Sequence, residues 1–310
     1  MQIDQATGTD FWRKAIEKEM TKVKVAFEKE KRWTPEQARR GEAKGLIGYQ
    51  EIKCHIVFDV KMDFSFKARF VAGGHTTEAP ASITYSSVVS RDSVHIAFLI
   101  AGLNDLDIMA CDIGNAYLNA PCREKIWFEA GLECGEDAGS LMIITRALYG
   151  LKSSGASWRA MFQNTIIKDF GFEDTRVDPD VYRRKNGKPN GEEYYELLLV
   201  YVDDCLVVSH DPGAVMKKLG EYYELKEGSV KPPKIYLGAN IEKVQLKNGQ
   251  TVWSMSSNSY VKAAVDNVNG MLEEEGRTLK DSKCTGNTPL LTGYKPEVDT
   301  TDELDQNKTS

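Results

Sequence analysis

Residues 196–208 read Glu-Leu-Leu-Leu-Val-Tyr-Val-Asp-Asp-Cys-Leu-Val-Val, two apolar runs with Asp203 and Asp204 planted between them. Runs of this kind form buried strands, and burying an ionised carboxylate costs several kcal/mol unless a partner compensates. No Lys or Arg lies within reach along the segment. Side chains alternate across a strand, so adjacent carboxylates in mid-strand face opposite sides, whereas a tight hairpin tip offers both to one place. A bound cation is then the natural compensator. A plain hairpin turn, in which Asp is common, is the alternative that the dipeptide leaves open.

A second apolar run, Leu106 to Asp112, also ends on a carboxylate. Three carboxylates delivered from two buried strands suit Mg²⁺, which takes a few carboxylates, several waters and substrate phosphates. Zinc is disfavoured, because the six cysteines and four histidines show no CxxC and no zinc spacing. Free thiols in a reducing compartment are expected. The first twenty residues lack an apolar leader core, and the longest apolar stretch, near Leu197 to Val202, falls far short of the ~20 residues of a membrane helix. The chain is therefore expected to be neither secreted nor membrane-spanning.

At 310 residues there is room for about two domains. The balance of 40 basic and 46 acidic residues, a net charge of -6, argues at first against a nucleic-acid binder. From Met271 onward, however, 9 acidic and 5 basic residues carry -4 of that charge, and the remaining body, at -2, can hold a basic groove.

The spacing of Trp12, Ile16, Met20, Val23 and Phe27 predicts an amphipathic helix over 10–28. Thr34-Pro35-Glu36-Gln37 reads as a capping-box start for a short second helix. Residues 52–72 alternate about Lys61–Ser65 as a β-hairpin, whose turn lacks Asn-Gly and so leaves the register open. Further helices are expected over 88–103 (opened by Ser90 or Asp92), from Ser154 or Gly155 to a stop at Gly171, and over 215–225 and 257–272, with strands over 106–112 and 234–244. Mixing without strict βαβ alternation makes the class α+β.

Several boxes then point one way. Tyr201-Val202-Asp203-Asp204 is similar to the YxDD signature of reverse transcriptases. Asp112 through Ala120 (DIGNAYLNA) resembles the first carboxylate motif of copia-type retrotransposon polymerases, Lys67 through Ala72 (KARFVA) their KARLVA box, and Ala147 through Lys152 (ALYGLK), ahead of Trp158, their LYGLK box. Tyr236 through Ile241 (YLGANI) fits their later LG motif. Order and spacing agree from about Phe11 to Val244, and more loosely to Asp305. The departures are Ser153, Ser154 and Gly155, where the family usually has Gln and then Pro, and a short hairpin tip at Asp63-Phe64-Ser65.

The resemblance implies a right-hand polymerase with an RRM-like antiparallel-sheet palm. It implies N-terminal helices over 1–45, fingers over 46–104, a palm over 105–245 with an inserted fingers element near 120–155, and a helical thumb over 246–287. An acidic tether over 288–310 follows, with no RNase H domain in the chain. Asp112, Asp203 and Asp204, with the Ile113 carbonyl, would hold two Mg²⁺ ions, for which Mn²⁺ can substitute. Lys226 would take the place of the lysine that protonates pyrophosphate. Lys67, Arg69, Ile113, Tyr117 and Lys152 would contact the incoming nucleotide, Tyr117 as an aromatic gate against a ribose 2′-hydroxyl. Tyr201, Leu237 and Gly238 would meet the primer and template. Implied partners are an RNA or DNA template with primer, deoxynucleoside triphosphates, and other retroelement proteins in a homo- or hetero-oligomer, and the resemblance implies a cytoplasmic location in virus-like particles. The rival readings are an inactive retroelement remnant that at most binds nucleic acid, and a palm-fold enzyme making cyclic nucleotides, which lacks support because no GGDEF-type hairpin is present.

Overall fold

The computed structural model describes residues 2–61, 64–78, 80, 84–274 and 276, and divides into two units at Met255. Helices α1 (Gln2–Thr7) and α2 (Phe11–Val23) open the chain. The second stops at Val23 instead of reaching 28, passes a tight turn at Lys24–Ala26 and enters strand β1 (Phe27–Lys29). The reason is tertiary: Phe27 pairs with Ile144 in a sheet, and its ring packs 5.3 Å from Phe128 and 5.9 Å from Phe70. The segment 1–45 is thus not wholly helical. Helix α3 (Pro35–Arg39) starts as expected, with Thr34 Oγ1 accepting from the Gln37 N–H at 3.3 Å and Gln37 Oε1 accepting from the Thr34 N–H at 2.9 Å.

After β2 (Gln50–Ile52), strands β3 (Cys54–Val60) and β4 (Phe66–Ala72) form the hairpin, in a register running from Val60–Phe66 to Cys54–Ala72. Asp63 at its tip lies outside the described residues. Helix α4 (Arg91–Leu103) is capped by Ser90, whose Oγ accepts from the Ser93 N–H at 3.1 Å. Strand β5 (Asp107–Asp112) leads to the single turn α5 (Ala116–Asn119), and β6 (Ile126–Glu129) and β7 (Leu141–Ile144) join β1 and β2 in a sheet ordered β1-β7-β6-β2.

Helix α6 (Ser154–Lys168) is followed by β8 (Glu173–Asp174), β9 (Val181–Gly187), β10 (Glu193–Tyr201), β11 (Asp204–Ser209) and helix α7 (Pro212–Tyr222). The central antiparallel sheet runs β5-β11-β10-β9-β8. Leu198, Val200, Cys205 and Val207 pack under α6 and α7 with Trp158, Phe162 and Leu219, while Leu199, Leu206 and Val208 pack against Val94, Phe98 and Ala101 of α4. Cover on both faces explains why the sequence here is a continuous apolar run instead of an alternating one. Each such buried side chain contributes about 1.5–3 kcal/mol. Helix α4, grouped on sequence grounds with the hairpin, therefore packs on this sheet.

The segment 234–244 is not one strand. Strands β12 (Ile235–Tyr236) and β13 (Ala239–Gln245) fold back on each other about Leu237 and Gly238, at φ 47° and 81°, the two positive values of a type I′ turn. Strand β14 (Thr251–Ser256) completes a sheet ordered β12-β13-β14, so the segment 246–287 begins with a strand, and helix α8 (Asn258–Glu274) follows. Cys284 and the acidic segment 288–310 lie outside the described residues. Among the described residues, no helix is long and apolar enough to cross a membrane.

Candidate active site

The two apolar runs fold as β10 and β11, joined by Val202 and Asp203, with Tyr201 opposite Asp204. Only the first of the two turn residues has a positive φ, 59° at Val202, the pattern of a type II′ turn in which Gly is usual. A β-branched residue there is strained by about 1–3 kcal/mol. Trp158 of α6, itself buried, holds the turn: its Nε1–H donates to the Val202 carbonyl at 2.7 Å.

Strand β5 lies on the other side of β11 and places Asp112 directly opposite Asp204. The turn and the strand end are tied together, because the Ile113 N–H donates to the Asp203 carbonyl at 2.8 Å. The sequence-predicted trio Asp112, Asp203 and Asp204 is thus assembled from two neighbouring strand ends. Beyond Asp112 the chain crosses the segment after α7: the Gly114 N–H donates to the Glu224 carbonyl at 2.7 Å, and the Lys226 N–H to the Asp112 carbonyl at 2.9 Å. A Cβ at Gly114 would stand 3.2 Å from that Glu224 oxygen. Ser229 Oγ accepts from the Asp112 N–H at 3.2 Å.

These contacts bring Lys226 onto the carboxylates. Its Nζ donates to Asp112 Oδ2 at 2.5 Å, lies against Oδ1, and reaches Asp203 Oδ2 at 3.7 Å. Asp112 Oδ1 is nevertheless buried without a well-directed hydrogen bond. Asp204 is pushed up to about 6, by burial first and then by the charges of Asp203 and Asp112, with Lys226 opposing. Among the described residues, no three His, Cys, Asp or Glu side chains converge at metal-ligand spacing. In this arrangement the lysine ammonium supplies the positive charge.

A cleft of about 410 Å³ opens at Asp112, Gly114 and Lys226 and is walled by Lys61, Lys67 and Ala68 of the hairpin region. Lys67 and Arg69, two residues apart on β4, share a face. Burial, then Arg69, Lys61 and Lys226, hold the Lys67 ammonium below its usual range. Tyr117 follows in α5, half-buried, its ring centroid 4.9 Å from that of Tyr149. Burial and the Asp203 charge raise the Tyr117 phenol, and the same causes, with Tyr117 itself, push Tyr149 up to about 12. Sequence reasoning named the LYGLK box without picking out Tyr149. Its placement depends on Gly150, at φ 92°, where a Cβ would come within 2.0 Å of the Ala72 carbonyl oxygen.

A second cleft, of about 530 Å³, is lined by Asp112, Asp204, Ser229, Lys231 and Tyr236. Tyr236 is buried with its hydroxyl unpartnered, and burial raises it ahead of the charges of Cys205, Asp204 and Cys111. The next two residues, Leu237 and Gly238, form the exposed hairpin tip, and Tyr201 is exposed beside the Asp204 pair. Lys152 Nζ donates to the Thr77 carbonyl at 2.5 Å.

Residues 47–277 match the family described as reverse transcriptase (RNA-dependent DNA polymerase). The chain is 27% identical over 234 residues to the retrovirus-related Pol polyprotein from transposon TNT 1-94 of Nicotiana tabacum, covering 72% of this chain and 17% of that protein. It is 30% identical over 183 residues to the transposon Ty1-LR2 and Ty1-ML2 Gag-Pol polyproteins of Saccharomyces cerevisiae, covering 56% of this chain and 10% of theirs. The chain thus matches only a small part of each relative's length. With the family spanning most of the chain, and with these relatives, the protein belongs to the copia-type reverse transcriptases.

Proposed function

We propose that the chain is the RNA-directed DNA polymerase portion of a copia-type Pol polyprotein, adding deoxynucleotides to a primer on an RNA or DNA template. The observation that carries this reading is the pairing of Asp112 with Asp204 across β5 and β11, with Asp203 in the adjoining turn. In this reading the β3–β4 hairpin belongs to the fingers, the central sheet with α6 and α7 is an RRM-like palm, and α8 belongs to the thumb.

The donor chemistry fits a hard divalent cation: an all-oxygen set, a buried Asp112 Oδ1 without a well-directed hydrogen bond, and an Asp204 carboxyl short of positive charge. Asp112 and Asp203, assisted by Asp204 and the Ile113 carbonyl, would hold two Mg²⁺ or Mn²⁺ ions. The chemistry such ions would supply there is activation of a primer hydroxyl and neutralisation of the charge on a departing pyrophosphate. Lys226 leaves Asp112 to make way and turns its Nζ to the phosphates. Lys67 and Arg69 bind the triphosphate, the Arg fork being suited to paired phosphate oxygens. Tyr117 lies under the sugar, while Tyr201 and the Leu237-Gly238 tip take the primer and template.

Primer extension by the purified chain with Mg²⁺ tests the reading. Asp203→Asn keeps size and loses charge, so the rate is expected to fall more than about a hundredfold, about 3 kcal/mol in barrier, with thermal unfolding no weaker than wild type. A residual rate above a hundredth overturns the carboxylate assignment. A folded wild type that extends no primer on any template makes the chain an inactive remnant.

A further inference from the structure

Helix α2 lies outside residues 47–277, the span that matches the family, yet it forms part of the cleft that opens at Asp112. It is fixed on the β3–β4 hairpin. Phe11 stacks on Phe66 at 5.0 Å, Trp12 meets Phe58 and Phe66 edge-on at 4.8 and 4.6 Å, and Glu19 Oε1 accepts from the Phe70 N–H at 3.1 Å. These contacts, at the start and middle of the helix, set its rotation. Lys18 and Lys22, one helical turn apart and so on one face, are thereby delivered to the cleft beside Lys61 and Lys67.

Positive charge is in excess there. Five lysines line the cleft against three carboxylates, in a chain whose net charge is -6. Of the three, Asp112 is engaged by Lys226, Glu19 accepts from the Phe70 N–H while keeping its charge, and Glu224 is the third, which leaves two lysines in excess. Among the described residues, Lys18, Lys22, Lys61 and Lys67 form no ion pair, while Lys14 on the same helix is paired to Asp10 at 3.0 Å. The Lys67 ammonium is held below its usual range first by burial and then by the like charges of Arg69, Lys61 and Lys226, with Glu19 opposing. Crowded cations around a concave site are a receptor for a compact polyanion.

We propose that α2 is a wall of the nucleotide site, with Lys18 and Lys22 binding the outer phosphates of the incoming deoxynucleoside triphosphate. The ligand's identity rests on the polymerase reading above; the polyphosphate site itself rests on the cleft. A nucleotide whose inner phosphate is placed at Asp112 carries its outer phosphates toward the lysine-lined mouth formed by α2 and the hairpin. A flexible ammonium on a long stem suits this contact, since it neutralises charge without demanding one fixed geometry.

The test is the double variant Lys18→Gln/Lys22→Gln, since Gln is nearly as good a helix former as Lys and leaves α2 intact. Two readouts are taken. Inorganic tripolyphosphate, added to the metal-free protein, is expected to raise the melting temperature of the wild type, and the double variant should lose most of that rise. In primer extension, KM for the templated nucleotide should rise about tenfold while kcat falls less than about threefold, the mark of a lost binding contact. Lys18→Arg/Lys22→Arg should restore both, and Lys14→Gln, which removes one charge from the same helix outside the cleft lining, should leave the tripolyphosphate shift at its wild-type size. An unchanged tripolyphosphate shift with unchanged KM overturns the inference. So does a loss confined to primer–template affinity in an anisotropy titration, which would place the lysines on the nucleic-acid backbone. If the wild type extends no primer, the polymerase reading fails by itself, and the tripolyphosphate titration still decides whether α2 walls a polyphosphate site.

Discussion

Lys226 closes on Asp112: its Nζ donates to Oδ2 at 2.5 Å and stands 3.7 Å from Asp203 Oδ2, so an ammonium occupies the space between two carboxylates. In the proposed reaction that space belongs to a divalent cation, and the lysine and the cation compete for it. The lysine side chain is 50% exposed, which screens the pair to about 1 kcal/mol. Lys226→Gln is therefore expected to tighten Mn²⁺ binding about fivefold in a titration read by the spectrum of free Mn²⁺, while slowing extension. Weaker Mn²⁺ binding in the variant would show that Lys226 supports the cation site and does not compete for it.

Asp204 gives the metal-free protein a pH dependence of known sign. Its carboxyl titrates near 6 in the fold, raised by burial and by two neighbouring carboxylates from the ordinary value of 3.8. Below the unfolded value both states hold the proton, and the group is neutral to stability. As pH climbs from about 4 to about 6 the unfolded chain releases its proton first, so stability falls across that window and stays lower above it. With screening of a partly exposed group allowed for, the loss is about 1 kcal/mol. Asp204→Asn should flatten this part of the pH profile and raise the melting temperature at pH 7 in chelator. A variant that melts no higher than wild type there would mean that the carboxylates do not strain one another.

The central strands and the Asp203-Asp204 turn were legible because an apolar run interrupted by carboxylates has few ways to fold. Thr34 and Ser90 were legible as helix starts because capping is local chemistry. What the sequence hid was non-local. Phe27 continues a helical spacing yet pairs with Ile144, far along the chain, and that pairing decides its state. Leu237 carries no turn signal, and its positive φ comes with the closure of β12 on β13. Lys226 meets Asp112 only because backbone bonds cross between the two segments. Lys152, in a box read as nucleotide-binding, donates to Thr77, a partner that its neighbours in sequence do not reveal.

Trp158 and Val202 couple a buried core to the turn that carries Asp203. The indole N–H to the Val202 carbonyl, 2.7 Å, offsets a β-branched residue held at positive φ. Trp158→Phe keeps an aromatic ring and removes the donor, at an expected cost of about 1–3 kcal/mol in chemical denaturation. Extension, measured well below the melting temperature, should slow at least several-fold as the turn loosens. A variant that loses stability and retains the full rate would confine Trp158 to the core and leave the turn held by its strand pairing alone.

In the proposed reading, Tyr117 separates a polymerase that makes DNA from one indifferent to the sugar. The ring is half-buried in α5, shortly after β5, packed 4.9 Å from Tyr149 and within range of the Asp203 charge. Packing on Tyr149 fixes where the ring edge stands, and a fixed edge beneath the sugar rejects a 2′-hydroxyl by clash while adding little to binding of the deoxynucleotide. Replacing Tyr117 by Val opens that space. Ribonucleotide incorporation relative to deoxynucleotide is expected to rise at least tenfold, about 1.4 kcal/mol, with deoxynucleotide turnover falling less. Tyr149→Ala should move the same ratio in the same direction by a smaller factor, because it frees the Tyr117 ring without removing it. Both are ratios on one template, so they are insensitive to overall activity and to how the hairpin tip closes. If the wild type already uses both sugars equally, or if Tyr117→Val leaves the ratio unchanged, the ring is a packing element of α5 and sugar choice lies elsewhere in the cleft.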